Sequence, residues 1–321
     1  MICLINTAHP TSNIKYCSGS PCFRGGRFFE YKKNDMDPHM KKGLVLEGGA
    51  MRGMFTCGVL DVFMENGIHF DGIAGISAGA TFGCNFKSHQ IGRALRYNKR
   101  YSKDWRYCSL KSLIRTGDLY GAEFCYHTIP EIFDPFDTET FKNDPTEFYI
   151  GATDVTTGEV RFHKCTDGGA ADIEWMRASA SMPVVSNIVS VDGYKMLDGG
   201  IVCSVPYEYM EQQGYNRNVI ILTQPKGYMK KKSPIVPLVK LMLRKYPAVG
   251  KAMAVRHEVY NAQMGEIDRK EECGEAMVIR PPEALGIGRT EKDPDELQRV
   301  YQAGRDEAVR RLAELRAFLG E

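Results

Sequence analysis

Short apolar runs that stop at glycine or serine alternate along this chain with segments whose apolar residues recur at helical spacing. Residues 43–47 (GLVLE) form the first run, closed by Gly48 and Gly49, the pattern of a buried strand. Residues 51–65 follow as a helix: Met54, Val59, Val62 and Phe63 recur near helical spacing, and Gly67 lies at its end. Residues 70–76 are a second apolar run, closed by Ser77, and residues 78–86 read as a second helix. This order of strand, glycine turn, helix, strand, sharp turn and helix predicts an α/β fold. A mostly parallel central sheet would carry helices on both faces, in three layers, with the site at the carboxyl ends of the strands.

The rest of the pattern fits that plan. Residues 147–153 and 160–163 read as a strand and its hairpin partner, and residues 173–181 as a short helix stopped at Pro183. Residues 189–197 read as a hairpin turning at Asp192 and Gly193. Residues 218–223 and 276–279 are further strands, and residues 249–270 a long helix. Residues 294–319 form a C-terminal helix with opposite charges three and four positions apart. Residues 90–145 are mixed, aromatic and basic, and read as helical insertions over the sheet. Residues 1–40 show neither period and read as a poorly ordered extension. Met36 and Met40 leave room for a later start.

Composition narrows the class. Of the 321 residues, 43% are apolar and 26% charged, which excludes collagen, coiled coil and wholesale disorder. A net charge of +2 gives no whole-chain reason to expect nucleic acid. The ten cysteines form no C-x-x-C pair and read as buried free thiols of a reducing compartment. No apolar run reaches the roughly 20 residues that span a bilayer, and the N-terminus lacks a secretory pattern. A cytoplasmic protein follows as the expectation, with reversible membrane contact open to it.

Three constellations carry chemistry. Gly75-Ile76-Ser77-Ala78-Gly79 is a G-x-S-x-G match, in which small neighbours let a strand turn sharply into a helix and project the serine oxygen. Alone it reads equally as a tight glycine turn. Gly48-Gly49-Ala50-Met51-Arg52-Gly53 leaves several backbone N–H groups convergent and unpaired. Such a nest holds a phosphate or an oxyanion; Asp71 keeps a nucleotide reading open. Asp198-Gly199-Gly200 ends a strand and offers a carboxylate that can approach another loop; by itself it is an ordinary Asp-Gly turn.

Together, and with Ala178-Ser179-Ala180-Ser181-Met182-Pro183 shortly before Asp198, these pieces resemble the patatin-like phospholipase family, above all its bacterial stand-alone members. The resemblance covers about residues 43–211, which it marks as the catalytic domain, with residues 212–321 packed on the same domain. One departure is Ala50 where the family has a third glycine; alanine keeps the N–H but disfavours positive φ.

The resemblance implies an acyl-ester hydrolase of lipids needing no metal or cofactor. Ser77 would be the nucleophile and Asp198 the proton acceptor, a dyad without histidine. The backbone around Gly48, Gly49, Ala50, Met51, Arg52 and Gly53 would form the oxyanion hole. Gly75 and Gly79 would shape the elbow, and Gly199 and Gly200 the turn after the base. The rival within the sequence is a Ser, Asp, His triad using His257, the one histidine after Asp198. From a different class, the rival is a silent lipid- or nucleotide-binding protein that keeps the fold. His163 and Cys165 would share a strand face, and Asp154 reads as an Asx turn. No acidic residue lies between Glu211 and Glu258, and from Lys226 to Lys251 lysines and arginines interleave with apolar residues. That stretch suits an anionic membrane surface, a lid or a solvated face.

Overall fold

The computed structural model describes residues 40–321. The expectations for residues 1–39, the alternative start at Met36 among them, fall outside the described residues. In chain order the first elements are β1 (Lys41–Leu46), α1 (Gly53–Glu65), β2 (Gly72–Ile76) and α2 (Ala78–Lys87). An insertion follows: α3 (Arg93–Tyr101), α4 (Leu110–Thr116), a π-helical segment over Phe124–Phe133, and α5 (Thr138–Asn143). Next come β3 (Glu147–Asp154), β4 (Val160–Lys164), α6 (Ala170–Ser179), β5 (Val189–Val191) and β6 (Tyr194–Asp198). The chain closes with α7 (Tyr207–Gln212), β7 (Tyr215–Ile221), α8 (Val236–Met242), α9 (Pro247–Glu272), β8 (Ala276–Ile279) and α10 (Pro294–Leu319).

The sheet is mostly parallel. β1 lies between β2 and β7, β3 continues beyond β2 and β8 beyond β7, all parallel. The carboxyl halves of β1 and β7, and all of β2 and β8, are apolar and buried because both faces are covered. Alternation along β1 sends Leu44 and Leu46 into one core and Val45 into the other. The first core is closed by α1, α2, α6 and α10 and the second by α7 and α9, so the three expected layers are present. β7 and β8 extend the same sheet. α10 is tied to α1 by the Tyr301 hydroxyl, which donates to Asp61 at 2.6 Å.

One edge of β3 decides where the site lies. β4 pairs antiparallel with Tyr149 to Thr153 on one side. β2 pairs with Glu147 to Gly151 on the other, ending at Ile76 opposite Gly151. β6 then pairs antiparallel from Ala152 onward, with Asp198 opposite Ala152. Because β4 also covers Gly151 and Ala152, β2 and β6 must share the opposite edge in succession. The ends of the two strands therefore meet head-on.

Two elements differ from the sequence pattern. The expected helical insertion contains a π-helical turn at Pro130, which has no N–H to give to the carbonyl one turn earlier. α8 was legible as an amphipathic stretch and forms a short helix, with Val236 and Val239 buried.

Candidate active site

Ser77 stands between β2 and α2 at φ 54°, ψ −118°, a strained conformation for a residue with a Cβ. Its neighbours make room for it. A Cβ on Gly75 would lie 2.5 Å from the Gly79 carbonyl oxygen, and one on Gly79 would strike the Leu46 carbonyl. The Ser77 N–H donates to Ser179 Oγ at 2.8 Å, and Ser179 Oγ donates to the Gly151 carbonyl at 2.6 Å. Ser179 thus pins the elbow to β3, a role no local pattern announced.

Asp198 meets this serine at the shared edge. Ser77 Oγ donates to Asp198 Oδ2 at 2.8 Å, and the Gly200 N–H donates to Oδ1 at 2.7 Å. The Asp198 backbone is held as well: its N–H donates to the Ser181 carbonyl at 2.8 Å, and its carbonyl accepts Thr153 Oγ1 at 2.8 Å. Burial pushes the Asp198 carboxyl above its ordinary value. Arg256, the Ser77 hydroxyl and the Gly200 N–H pull the other way. A carboxylate that is harder to ionise is a stronger base toward its hydroxyl partner.

The glycine nest is narrower than its six-residue motif. The Gly48 N–H donates to the Ser204 carbonyl at 3.1 Å and the Arg52 N–H to the Gly49 carbonyl at 3.2 Å. The Gly53 N–H bonds back to the Ala50 and Met51 carbonyls. Those three donors of the 48–53 motif are engaged within the fold. The N–H groups of Gly49, Ala50 and Met51, and of Ala78 at the start of α2, donate to no acceptor among the described residues. Ala50 takes φ 50°, so the missing glycine is accommodated by left-handed backbone at a cost of about 1 kcal/mol. Arg52 braces the turn: its Nε donates to Thr223 Oγ1 at 3.3 Å, and Thr223 Oγ1 donates to the buried Glu47 at 3.0 Å.

Two cavities meet at Ser77. The smaller, about 100 Å³, is lined by Met51, Phe82, Tyr97, Tyr107, Tyr126 and Met182 among others. The larger, about 600 Å³, carries Arg52, Lys230, Arg256 and Arg289, with Asp198 its one acidic side chain.

Other sequence candidates lie elsewhere or in other roles. His257 lines the larger cavity, but it makes no hydrogen bond to Ser77 or Asp198, and Ser77 is bonded to Asp198 instead. Asp71 precedes β2 and accepts the Lys42 N–H at 2.6 Å, so it sits at the amino end of the sheet, away from the nest. That removes the nucleotide reading. Asp154 Oδ1 accepts the Thr156 N–H at 2.9 Å, the Asx turn, and Oδ2 accepts Arg161 at 2.8 Å.

Asp172 joins His163 and Cys165, their ligating atoms all within 4.8 Å of one another. The Asp172 carboxylate is filled by the Thr166, Asp167 and Gly168 N–H groups and by His163 at 2.7 Å. Burial pushes the Cys165 thiol up. The seven described cysteines are all free thiols. No described helix is long and apolar enough to cross a membrane.

A family model described as patatin-like phospholipase matches residues 44–210, more than half of the chain. The chain belongs to the patatin-like phospholipase family. The matched span runs from β1 to α7 and contains Ser77, Asp198 and the nest. A second model, of a domain of unknown function (DUF6363), matches residues 246–320, which hold α9, β8 and α10.

Among relatives, the uncharacterized protein YjjU of Escherichia coli (strain K12) is 32% identical over 186 residues, 57% of this chain and 52% of YjjU. Lysophospholipase NTE1 of Debaryomyces hansenii is 30% identical over 179 residues, 54% of this patatin-like chain and 11% of NTE1. The chain thus spans about half the length of the first relative and about a tenth of the second. Among solved structures, VipD from Legionella pneumophila aligns over 86% of this chain and 67% of its own, at 13% identity and a TM-score of 0.45.

Proposed function

We propose that this patatin-like chain is a serine acyl hydrolase of lipid esters, of the phospholipase A or lysophospholipase type, working through a Ser77–Asp198 dyad. The observation that carries the reading is the 2.8 Å bond from Ser77 Oγ to Asp198 Oδ2, made where two cavities meet. Ser77 Oγ attacks the acyl carbonyl as its proton passes to Asp198 Oδ2. The oxyanion that forms accepts the free N–H groups of Gly49, Ala50 and Met51, with the start of α2 adding its dipole. Collapse breaks the ester bond, and the departing alcohol takes the proton from Asp198. Water then repeats the sequence on the acyl-enzyme and releases the acid. The acyl chain belongs in the smaller, aromatic cavity and the alcohol in the larger, basic one.

Labelling with a fluorophosphonate probe tests the dyad. An adduct on the peptide carrying Ser77, absent after Ser77→Ala, is expected. A wild-type chain that stayed unlabelled and hydrolysed no acyl ester would instead be a silent binding protein.

Substrate of this kind is met at a membrane. Leu238, Leu241 and Met242 are exposed on α8, with Met229 and Ile235 exposed at the cavity mouth. Lys231, Lys232, Lys240, Arg244 and Lys245 lie exposed around them. An apolar face ringed with cations fits reversible docking on an anionic surface. Lys226 pairs with Glu272 at 3.3 Å and Lys230 turns inward, so neither belongs to that face. Changing Lys240, Arg244 and Lys245 to Gln should weaken binding to anionic vesicles by about fivefold each at low salt. Unchanged vesicle binding would make this a solvated face.

A further inference from the structure

The larger cavity has a charge imbalance that the dyad does not use. Arg52, Lys230, Arg256 and Arg289 line it, Lys231 and Lys232 extend it, and Asp198 is its one acidic lining residue. A further carboxylate, Glu47, acts on Lys230 and Arg256 but is buried and already committed. It accepts the Thr223 N–H at 2.5 Å, Thr223 Oγ1 at 3.0 Å and the Tyr260 hydroxyl at 2.8 Å. Six lysines and arginines line the cavity against Asp198 and the committed Glu47, which leaves positive charge without a partner in a half-enclosed space.

The cations are built in rather than draped over the opening. Asn261 on α9 clamps the Lys230 backbone from both sides: Asn261 Oδ1 accepts its N–H at 2.8 Å, and Asn261 Nδ2 donates to its carbonyl at 3.1 Å. Lys230 Nζ lies 3.5 Å from the centre of the Tyr260 ring. Arg256 Nε donates to the Gly200 carbonyl, beside the base. Arg289 closes the cavity from the loop before α10. An ammonium or choline group would find no lining carboxylate except Asp198, and the lining offers it one tyrosine ring, Tyr228, against six lysines and arginines.

Resting on the hydrolase reading above, we propose that this cavity binds a phosphate monoester on the alcohol half of the substrate. The preferred substrate is then an acylated glycerol phosphate with no cationic head group. A dianion matches the unpaired charge; a zwitterionic head group cancels its own. Arg256, held next to Asp198, places that charge beside the bond that breaks. The free state supports this. Burial and the repulsion of Arg256, with smaller contributions from Arg52 and Arg289 and an opposing one from Glu47, bring Lys230 down to about 7. A bound dianion must raise it, so binding takes up a proton near neutral pH. Affinity should strengthen as pH falls toward 7, then weaken below about 6, where the phosphate itself gains a proton.

The test uses the full chain and hexanoyl esters, which stay monodisperse, so that recruitment to a lipid surface plays no part. Hexanoyl glycerol 3-phosphate is compared with hexanoyl glycerophosphocholine and monohexanoyl glycerol. A kcat/KM at least tenfold higher for the phosphate monoester is expected. Glycerol 3-phosphate should compete with substrate, and calorimetry in two buffers of different ionisation enthalpy should show proton uptake at pH 7. Lys230→Gln and Arg289→Gln, each checked for folding by its melting curve, should lower the ratio of phosphate to neutral ester turnover by tenfold or more; Lys230→Arg should keep it.

Equal turnover of the three esters overturns the proposal while leaving the hydrolase intact. Inorganic phosphate binding as tightly as glycerol 3-phosphate, without any substrate preference, overturns it too and makes the cavity a free-phosphate site. If no ester is cleaved and Ser77 takes no fluorophosphonate, it is the hydrolase reading that has failed.

Discussion

Replacing Asp198 with asparagine separates the chemistry from the fold. The asparagine carbonyl can still accept the Gly200 N–H that Oδ1 accepts at 2.7 Å. At the other position, where Oδ2 accepts the Ser77 proton at 2.8 Å, an amide nitrogen donates instead. The nucleophile then keeps its proton, and a loss of about 10²- to 10⁴-fold in kcat is expected. That is roughly 3–5 kcal/mol of transition-state stabilisation.

Stability should move the other way. Burial raises the Asp198 pKa. A carboxyl raised in the fold binds its proton more tightly there than in the unfolded chain, so ionising it costs folding free energy. That cost is absent below the unfolded pKa and complete above the folded one. Asparagine carries no charge, so the variant should melt at or above the wild-type temperature at pH 7, the difference shrinking toward pH 4. The assays are turnover of a soluble short-chain ester and calorimetric melting at both pH values. Retention of more than about a tenth of wild-type turnover, or a melting point several degrees lower at pH 7, refutes the reasoning.

Ser77→Ala should abolish turnover with little change in melting temperature, because the hydroxyl makes one side-chain bond and fills almost no core. His257→Ala should change kcat by no more than about twofold; if it were as damaging as Asp198→Asn, a triad would replace the dyad. Gly79→Ala drives a methyl group into the Leu46 carbonyl and should cost about 1–3 kcal/mol in denaturant melts, with turnover lost alongside. On a neutral ester, kcat/KM should fall on the acid side at a pH above the ordinary carboxylate range, since Asp198 must be ionised to act and its pKa is raised. A profile flat to pH 4 contradicts that.

Ser77 and Asp198 could each be picked out in the sequence because each sits at a strand end marked by glycine; that they meet depends on β6 running antiparallel along the β3 edge that β2 leaves, which no local pattern announces. Ser179 was not readable as the elbow's anchor: a serine near the end of a helix has no local sign that its hydroxyl reaches β3. The inward turn of Lys230 was not readable for a related reason. In a run of three lysines it reads as solvated, and only the approach of α9, with Asn261 and Tyr260, turns it inward. The engaged N–H groups of Gly48, Arg52 and Gly53 were hidden too, since their acceptors depend on the fold of the turn and on Ser204, which lies far along the chain. Asp71 looked available for a sugar hydroxyl because sequence spacing does not say which end of a strand a residue occupies.

β3 carries β2, which ends at Ser77, and β6, which ends in Asp198, on one edge in series. Asp198 comes from a hairpin whose outer strand, β5, is only three residues long. Such a rim opens more readily than the parallel strands at the centre of the sheet. Amide exchange in β5 and β6 should therefore be faster than in β1 and β7, and each opening withdraws Asp198 while Ser77 stays in place. On warming, the proposed hydrolase activity would be lost before the chain melts, and recover at once on cooling.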